Sequence, residues 1–324
     1  MTLLRRLRGA PAARHLAPRE GDAAVSVVVP LYQHARYVAA ALDSVLAQTA
    51  PPREILVIDD GSTDDGARIA ERRLRDVAPT RVLRQANRGA AETINAAVQL
   101  AACGWIAVLN SDDLFLPDKL AHCQRIIAER PDAQMIAGGI ALIGAKGETL
   151  TSGIAADWLR RAQDFAARAA HPALSLLNEN FVATTSNMVF TRALWQHLGG
   201  FAALRYCHDL DFLLRGLAAA PAAIMDEAQV QYRVHAHNTI GEDVRGVRVE
   251  LAAVIAEALH ALGPRLLPPG GDDGFAHFTE FLRNKALSDL VLYFVTLRGR
   301  FADAHAFYRH VVAGPQRSRF MDAC

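Results

Sequence analysis

Lysine is nearly missing from this sequence: Lys119, Lys146 and Lys285 are the only three in 324 residues, and arginine carries almost all the positive charge. With 35 basic and 34 acidic residues the formal net charge is +1. No overall field therefore draws the chain to nucleic acid, and no basic groove interleaved with aromatics occurs along it. Cysteine is scarce as well. Cys103, Cys123, Cys207 and Cys324 are widely separated, with no Cys-x-x-Cys pair and no zinc-like spacing to histidine. That pattern argues against a disulfide framework or a structural zinc and fits a reducing compartment. Long hydrophobic runs are missing too: nothing approaches the roughly 20 apolar residues that span a bilayer, and the start lacks the apolar core of a secretory signal. The expectation is a cytoplasmic protein.

What is present is the material of a folded enzyme or binding protein. Hydrophobic residues make up 51% of the chain and charged residues 21%, the balance of a globular rather than a disordered sequence. The length suits one large α/β domain with an appendage, since single cores stop growing near about 250 to 300 residues. Residues 1–24 stand apart. Arg5, Arg6, Arg8, Arg14 and Arg19 precede the first acidic residue and sit among Leu3, Leu4 and Leu7. They read as a basic tail, with peripheral contact at the inner face of a membrane as the alternative.

From Val25 the chain alternates between unbroken apolar runs and amphipathic segments. Val25 to Val29 is followed by Val38, Leu42, Val45 and Leu46 at helical spacing, and Ile55 to Ile58 ends in Asp59-Asp60-Gly61-Ser62. Ser62 or Thr63 can cap the next helix. A short strand, Arg81 to Leu83, leads to a helix carrying Ile94, Ala97, Val98 and Ala101, and Trp105 to Leu109 ends at Asn110-Ser111-Asp112-Asp113. Such alternation predicts a doubly wound, mainly parallel sheet, which binds ligands beyond the carboxyl ends of its strands. Both acidic clusters fall there.

After a helix opened by Pro117 and a strand over Met135 to Ile143, the pattern turns irregular through about residue 180, as acceptor-specific insertions do. Order returns with a strand over Asn187 to Phe190, the Leu198-Gly199-Gly200-Phe201 turn, a helix from about Asp209 to Leu217 and a strand from about Ile224 to Val234. Beyond Gly241 the chain reads as helical, broken at Pro268 to Gly271. The expected organisation is a basic tail over 1–24, an α/β domain over 25–241 in two halves, 25–113 and 114–241, and a helical region over 242–324. The apolar stretch Leu290 to Leu297, flanked by Arg283, Lys285 and Arg298, leaves open membrane contact or a homodimer through these helices.

Paired acids at strand ends have three uses: they bind a divalent metal, bond a ribose or base, or cap the next helix. For Asp64 and Asp65 capping is favoured. For Asp112 and Asp113 it is weaker, because the next helix does not open until Pro117. Asp59 is expected to point away from a ligand and tie down its own turn.

Three motifs in this order, Val25-Ser26-Val27-Val28-Val29-Pro30-Leu31-Tyr32, then Ile58-Asp59-Asp60-Gly61-Ser62-Thr63-Asp64, then Leu109-Asn110-Ser111-Asp112-Asp113, resemble the family 2 glycosyltransferases of the GT-A fold. The resemblance covers about residues 25–240. It implies an inverting enzyme moving a sugar from a nucleotide-diphosphate sugar, a UDP-sugar above all, to a hydroxyl on a carbohydrate, lipid-linked or protein acceptor, as in bacterial surface polysaccharide or glycoconjugate synthesis. It implies that Pro30 and Tyr32 contact the nucleotide, that Asp60 accepts from the base, and that Arg88 of Asn87-Arg88-Gly89 reaches the diphosphate or base. Asp112 falls to ribose or metal and Asp113 to metal, an Mn²⁺ or Mg²⁺ ion, with asparagine at 110 where an acid often stands. Gly199, Gly200 and Phe201, with His208, correspond to an acceptor or donor-sugar loop. Asp209 matches the catalytic base, with His208 in place of the usual glutamate. In Tyr232-Arg233-Val234-His235-Ala236-His237-Asn238 the resemblance makes His235 a metal ligand, with His237 as alternative.

Other readings stay open at this point. Asp209 also suits the N-terminus of a helix on charge grounds alone, and Asp211 cannot share its helical face, which suggests a structural role. Ile55 to Asp60 followed by Val108 to Asp113 also resembles the acidic pocket of a receiver-like phospho-switch. Asn110 and His208 keep alive a nucleotide-binding homologue that does not turn over.

Overall fold

Val27, Val28, Val29 and Leu31 leave no polar face on their segment, and all four are fully buried. A strand of that kind is stable only inside a sheet covered on both sides, each such side chain contributing about 1.5–3 kcal/mol by its burial. In a computed structural model, which describes residues 23–77, 79–169, 171–236, 238, 241–266, 272–285 and 287–323, it is the strand β1 (Val25–Leu31). Most of the basic tail, His237 and the break at Pro268 to Gly271 lie outside the described residues.

The chain continues through α1 (Val38–Leu46), β2 (Glu54–Asp59), α2 (Gly66–Leu74), β3 (Thr80–Arg84), α3 (Ala90–Leu100), β4 (Trp105–Val108), β5 (Leu114–Phe115), α4 (Lys119–Glu129) and β6 (Met135–Ile143). Then come α5 (Ile154–Arg168), α6 (Pro172–Asn178), β7 (Val189–Thr191), α7 (Arg192–His197), α8 (His208–Ala219) and β8 (Ala222–Arg233). The last helices are α9 (Val244–Leu262), α10 (Asp272–Asn284), α11 (Ser288–Arg298), α12 (Ala304–Ala313) and α13 (Arg317–Asp322).

The strands form one sheet in the order β3-β2-β1-β4-β7-β6-β8-β5. Pairing is parallel from β3 to β4 and between β6 and β8, while β7 and β5 run against their neighbours. The mainly parallel, doubly wound sheet expected from the apolar runs is therefore present, with antiparallel β7 inserted beside β4. The stretch expected to be irregular up to about residue 180 contains α5 and α6 instead. α5 is rich in alanine and arginine, and only its Ala156, Ala162 and Phe165 are buried, too few to mark an apolar stripe; α6 is seven residues long and buried throughout, so no polar face sets a period.

Two compact units follow from the packing, and neither is continuous in sequence. Unit 1 takes the described residues up to Leu150, Val182–Phe201 and Ala219–Val234, and so holds the whole sheet. Unit 2 takes Thr151–Phe181, Ala202–Ala218 and the described residues from His235 onward, and is helical.

Candidate active site

In unit 1 the carboxyl ends of β1, β2 and β4 carry the residues of interest. At the end of β2, Asp59 accepts a bond from Ser62 N–H (3.3 Å), tying down its own turn as the alternation predicts. Gly61 follows at φ 77°, where a Cβ atom would come within 2.9 Å of Asn87 N. Only glycine fits that turn. The cap expected from Ser62 or Thr63 is not made. Asp64 serves instead, accepting from Gly66 N–H (2.9 Å) and Ala35 N–H (2.8 Å), while Ser62 Oγ accepts from Gln33 N–H (3.0 Å).

Asp60 is 3% exposed, and protein groups fill most of its carboxylate. Oδ1 accepts from Arg88 N–H (2.9 Å) and the Gln85 side chain (2.8 Å), and Oδ2 accepts from Gly89 N–H (2.8 Å). Of about four lone-pair sites one is left, on Oδ2. Asp60 thus fixes the 85–89 segment at the start of α3 first. The Arg88 guanidinium, just before α3, lies 3.4 Å from Glu92 in the first turn of that helix and is mostly exposed. Pro30 is half-buried, and Tyr32, just past β1, is 46% exposed.

The loop after β4 separates two adjacent carboxylates by burial. Asp113 is 1% exposed. Its Oδ2 accepts from the Thr184 (2.9 Å) and Ser186 (2.6 Å) hydroxyls, and its Oδ1 accepts from Arg233 N–H (2.9 Å). Burial, with the Asp112 charge next to it, pushes its carboxyl up to about 7 against the opposing pull of Ser186, Arg233 and Thr184. Three protein donors thus hold Asp113, expected from the motif as a metal ligand, inside the loop. Asn110 is fixed in the same way, donating to Thr184 Oγ1 (2.9 Å) and accepting from Thr185 Oγ1 (2.8 Å). Arg233 closes the arrangement. Only 4% exposed, it donates to the main-chain carbonyls of Asp112 (2.6 Å) and Gly144 (3.0 Å) and lies 4.8 Å from the Tyr37 ring centre.

Asp112 is the carboxylate left nearer the surface, with a side chain 13% exposed, and His34 Nε2 lies 3.9 Å from its Oδ2. His34 is held by Ser111 Oγ at Nδ1 (2.8 Å), and its carbonyl accepts from Tyr37 and Val38 at the start of α1. Beside it Gln33 adopts φ 53°, and beside Thr184 Ala183 adopts φ 66°. Among the described residues these are the two non-glycine positions in the left-handed region, and both adjoin residues that hold this loop, where such strain is held by surrounding bonds. Sequence reasoning missed His34, Thr184 and Ser186. The signal for His34 was its place three residues beyond a strand end already singled out. The two hydroxyl residues carried none.

The Gly199-Gly200-Phe201 turn belongs to unit 1 as well. Gly200, at φ 82°, leaves room for Asn95, whose Oδ1 accepts from Phe201 N–H (2.9 Å) and Trp195 Nε1 (2.9 Å) and whose amide donates to the Phe201 carbonyl (2.9 Å). Phe201 is 1% exposed against Phe190. It anchors from the core the turn that was expected as an acceptor or donor-sugar loop.

In unit 2, Asp209 stands in the first turn of α8 and is half-buried. Its Oδ1 accepts from Leu210 N–H (2.7 Å) and its Oδ2 faces the Asn180 amide at 3.4 Å. Burial raises its carboxyl to about 6, against the pull of those donors. His208 is half-buried beside it, and burial holds its imidazole below the usual range. Asp211 is structural, as its helical face suggested: it forms a buried pair with Arg215 (2.5 Å) and accepts from Tyr308 Oη (2.7 Å).

The sequence profile described as Glycosyl transferase family 2 matches residues 26–197, more than half of the chain. The chain belongs to this family. As a family 2 glycosyltransferase it is an enzyme, and the receiver-like reading falls. Asp209 and His235 lie beyond the matched residues. The E. coli chondroitin synthase is 35% identical over 99 residues, which are 31% of this chain and 14% of that protein. The chain spans between 14% and 38% of the length of four curated relatives that it matches. Among solved structures, S. aureus TarS in complex with UDP-GlcNAc superposes with a TM-score of 0.55 at 17% identity, over 92% of this chain and 88% of that one. A mannosyltransferase from Pyrobaculum calidifontis in complex with GDP-Man and Mn2+ gives 0.53 at 18% identity, over 92% and 85%. The GT-A fold of this glycosyltransferase follows from them. Among its described residues no helix is long and apolar enough to cross a membrane.

Proposed function

We propose that this glycosyltransferase moves a sugar from a nucleoside-diphosphate sugar, with uridine as the first choice of base, onto an acceptor hydroxyl with inversion at the anomeric carbon. The observation that carries the reading is the presentation of Asp112 beside His34 at the end of β4, on a loop fastened from behind by Asp113 and Arg233. TarS bound to UDP-GlcNAc and the mannosyltransferase bound to GDP-Man and Mn2+ support such a donor, and the match to a chondroitin synthase supports a polysaccharide or glycoconjugate as acceptor.

A divalent cation suits the residues present. Asp112 and His34 offer an oxygen and a nitrogen 3.9 Å apart. His235 directly follows Val234, whose N–H is bonded to Ile143 O of unit 1 (2.8 Å), and we assign it as a third ligand. Imidazoles in the set favour Mn²⁺ over Mg²⁺, which keeps to oxygen. When bound, such an ion supplies positive charge for the leaving diphosphate. The rest is the work of the chain. Pro30 and Tyr32 border the nucleotide, and Asp60 offers its remaining lone pair to a base N–H while holding Gly89 N–H and the Arg88 main chain in place. Gly199 and Gly200 give a loop without side chains where the sugar or acceptor passes. Asp209, with His208 beside it, takes the acceptor proton as the hydroxyl attacks; one base without a second nucleophilic carboxylate means a single displacement.

A panel of UDP- and GDP-sugars, each with and without Mn²⁺, tests the reading by thermal unfolding. Native-state binding stabilises by mass action, so a fitting donor raises Tm by several degrees with the ion and little without it. A panel in which no nucleotide sugar shifts Tm under either condition would sink the proposal.

A further inference from the structure

Asp209 is poorly held by its own bonds: Leu210 N–H belongs to the next residue, and the Asn180 amide at 3.4 Å is near the limit of a hydrogen bond. What fixes the carboxylate is therefore the backbone that enters α8. Consecutive N–H groups there point at one acceptor far away in sequence. Glu250 on α9 accepts from Arg205 N–H (2.8 Å) at Oε1, and from Tyr206 N–H (2.7 Å) and Cys207 N–H (3.0 Å) at Oε2. It is 2% exposed. A carboxylate is stable at such depth only when its lone pairs are filled, and main-chain donors fill three of them. Cys207 then opens the helix, its carbonyl accepting from Asp211 N–H (2.9 Å). Neither Tyr206 nor Cys207 has the short oxygen side chain that normally caps a helix start. Glu250 instead fastens the three residues that lead into the helix, and does so from a different helix. Further along, Asp211 is gripped by Arg215 and by Tyr308 of α12. Asp209 thus lies between two fastened points, and both fasteners depend on residues beyond 242.

We propose that Glu250 is a positioning residue for Asp209, and that the C-terminal helices of this enzyme take part in turnover by holding that loop. The inference rests on the reading of Asp209 as the base. A positioning role predicts that the chemical step suffers while the donor binds as before, because none of these residues lies in the sheet that carries Asp60 and Asp112.

The test uses Glu250→Gln and Glu250→Ala in the full chain, with transfer measured on the nucleotide sugar that the thermal panel selects and binding measured by calorimetry with uridine diphosphate and Mn²⁺. Glutamine keeps the shape but turns an NH₂ toward main-chain donors, and kcat is expected to fall about tenfold; alanine should cost about a hundredfold, the scale of a 1 Å misplacement. The dissociation constant for uridine diphosphate should stay within about twofold, and the Arg205, Tyr206 and Cys207 amides should lose protection from hydrogen exchange. Adding Glu250→Gln to Asp209→Asn should slow the reaction no further, since one residue acts through the other. Wild-type kcat in Glu250→Gln beside a dead Asp209→Asn overturns the positioning role and leaves the base intact. Unfolding of Glu250→Gln, or equal losses of donor affinity and kcat, overturns it too, by showing a purely structural part. Full turnover in Asp209→Asn removes the base reading itself, and this proposal with it.

Discussion

The loop after β4 in unit 1 and the entry to α8 in unit 2 solve one problem by different chemistry. Each contains two carboxylates close together, and each buries one to fix the backbone that presents the other. In unit 1 the buried member is Asp113, held by two hydroxyls and one N–H, all neutral, and its carboxyl is pushed up to about 7. In unit 2 it is Asp211, paired with Arg215 and Tyr308. The neutral cradle brings no charged partner to Asp113, and the neighbouring Asp112 carboxylate lies 3.9 Å from His34 Nε2. At Asp209 burial is the main influence and the Asp211 charge a minor one in the same direction, and the carboxyl rises to about 6. The lesson is that neither charge nor adjacency tells which acid of a pair faces the ligand; the donors arriving from distant segments do.

The comparison can be broken most directly at Asp209. Asp209→Asn should lower kcat by about a thousandfold, within the usual range for losing a general base, with the dissociation constant for uridine diphosphate and Mn²⁺ nearly unchanged. Near-normal turnover would mean that unit 2 presents nothing.

Next in size is the contrast between neighbours in unit 1. Asp112→Asn should weaken metal-dependent donor binding at least tenfold and slow transfer further. Asp113→Asn should shift donor binding no more than about threefold, because an amide still accepts from Arg233 N–H and can donate to the two hydroxyls. Asp113→Ala leaves those three groups without their acceptor and should cost about 1–3 kcal/mol in denaturant unfolding. Should Asp113→Asn abolish donor binding while Asp112→Asn leaves it intact, the order of the pair is reversed.

The mildest effect is on pH dependence. A base must be ionised to take a proton, so kcat should be flat above about pH 6 and fall tenfold per unit below it, following the raised carboxyl of Asp209. A profile still flat at pH 4.5 would separate the acidic limb from this residue.

Much of the parallel half was legible. Unbroken apolar runs such as Val25 to Val29 specify buried strands, and the acids placed after Ile58 and Leu109 mark the ligand end of the sheet. Antiparallel β7 was not, since Val189–Thr191 is three residues long and strand direction leaves no trace in so short a run. Nor were α5, whose largely exposed surface hides its period, and α6, which is buried throughout and too short to show one. In the site, the motif positions after β4 and at α8 were legible as acids, but the assignment within Asp112-Asp113 was not. That depended on Thr184, Ser186 and Arg233, separated from Asp113 by 71, 73 and 120 residues. His34 and Glu250 were missed for the same reason: a lone histidine or glutamate gains its meaning from partners that sequence does not bring together.

The fasteners of the 110–113 loop also have an order in time. During synthesis the loop leaves the ribosome well before Thr184 and Ser186, and Arg233, which ends the last strand of the sheet, follows later still. Until then Asp113 is an ordinary hydrated carboxylate, free to ionise in water, and nothing distinguishes it from Asp112. Partial sheets can assemble early from the neighbouring β1, β2 and β4, but pairing across such separations is slow to form. The nascent enzyme therefore carries both acids as equals while the 120 residues up to Arg233 are added, and acquires the full asymmetry between them only when β8 is threaded into place.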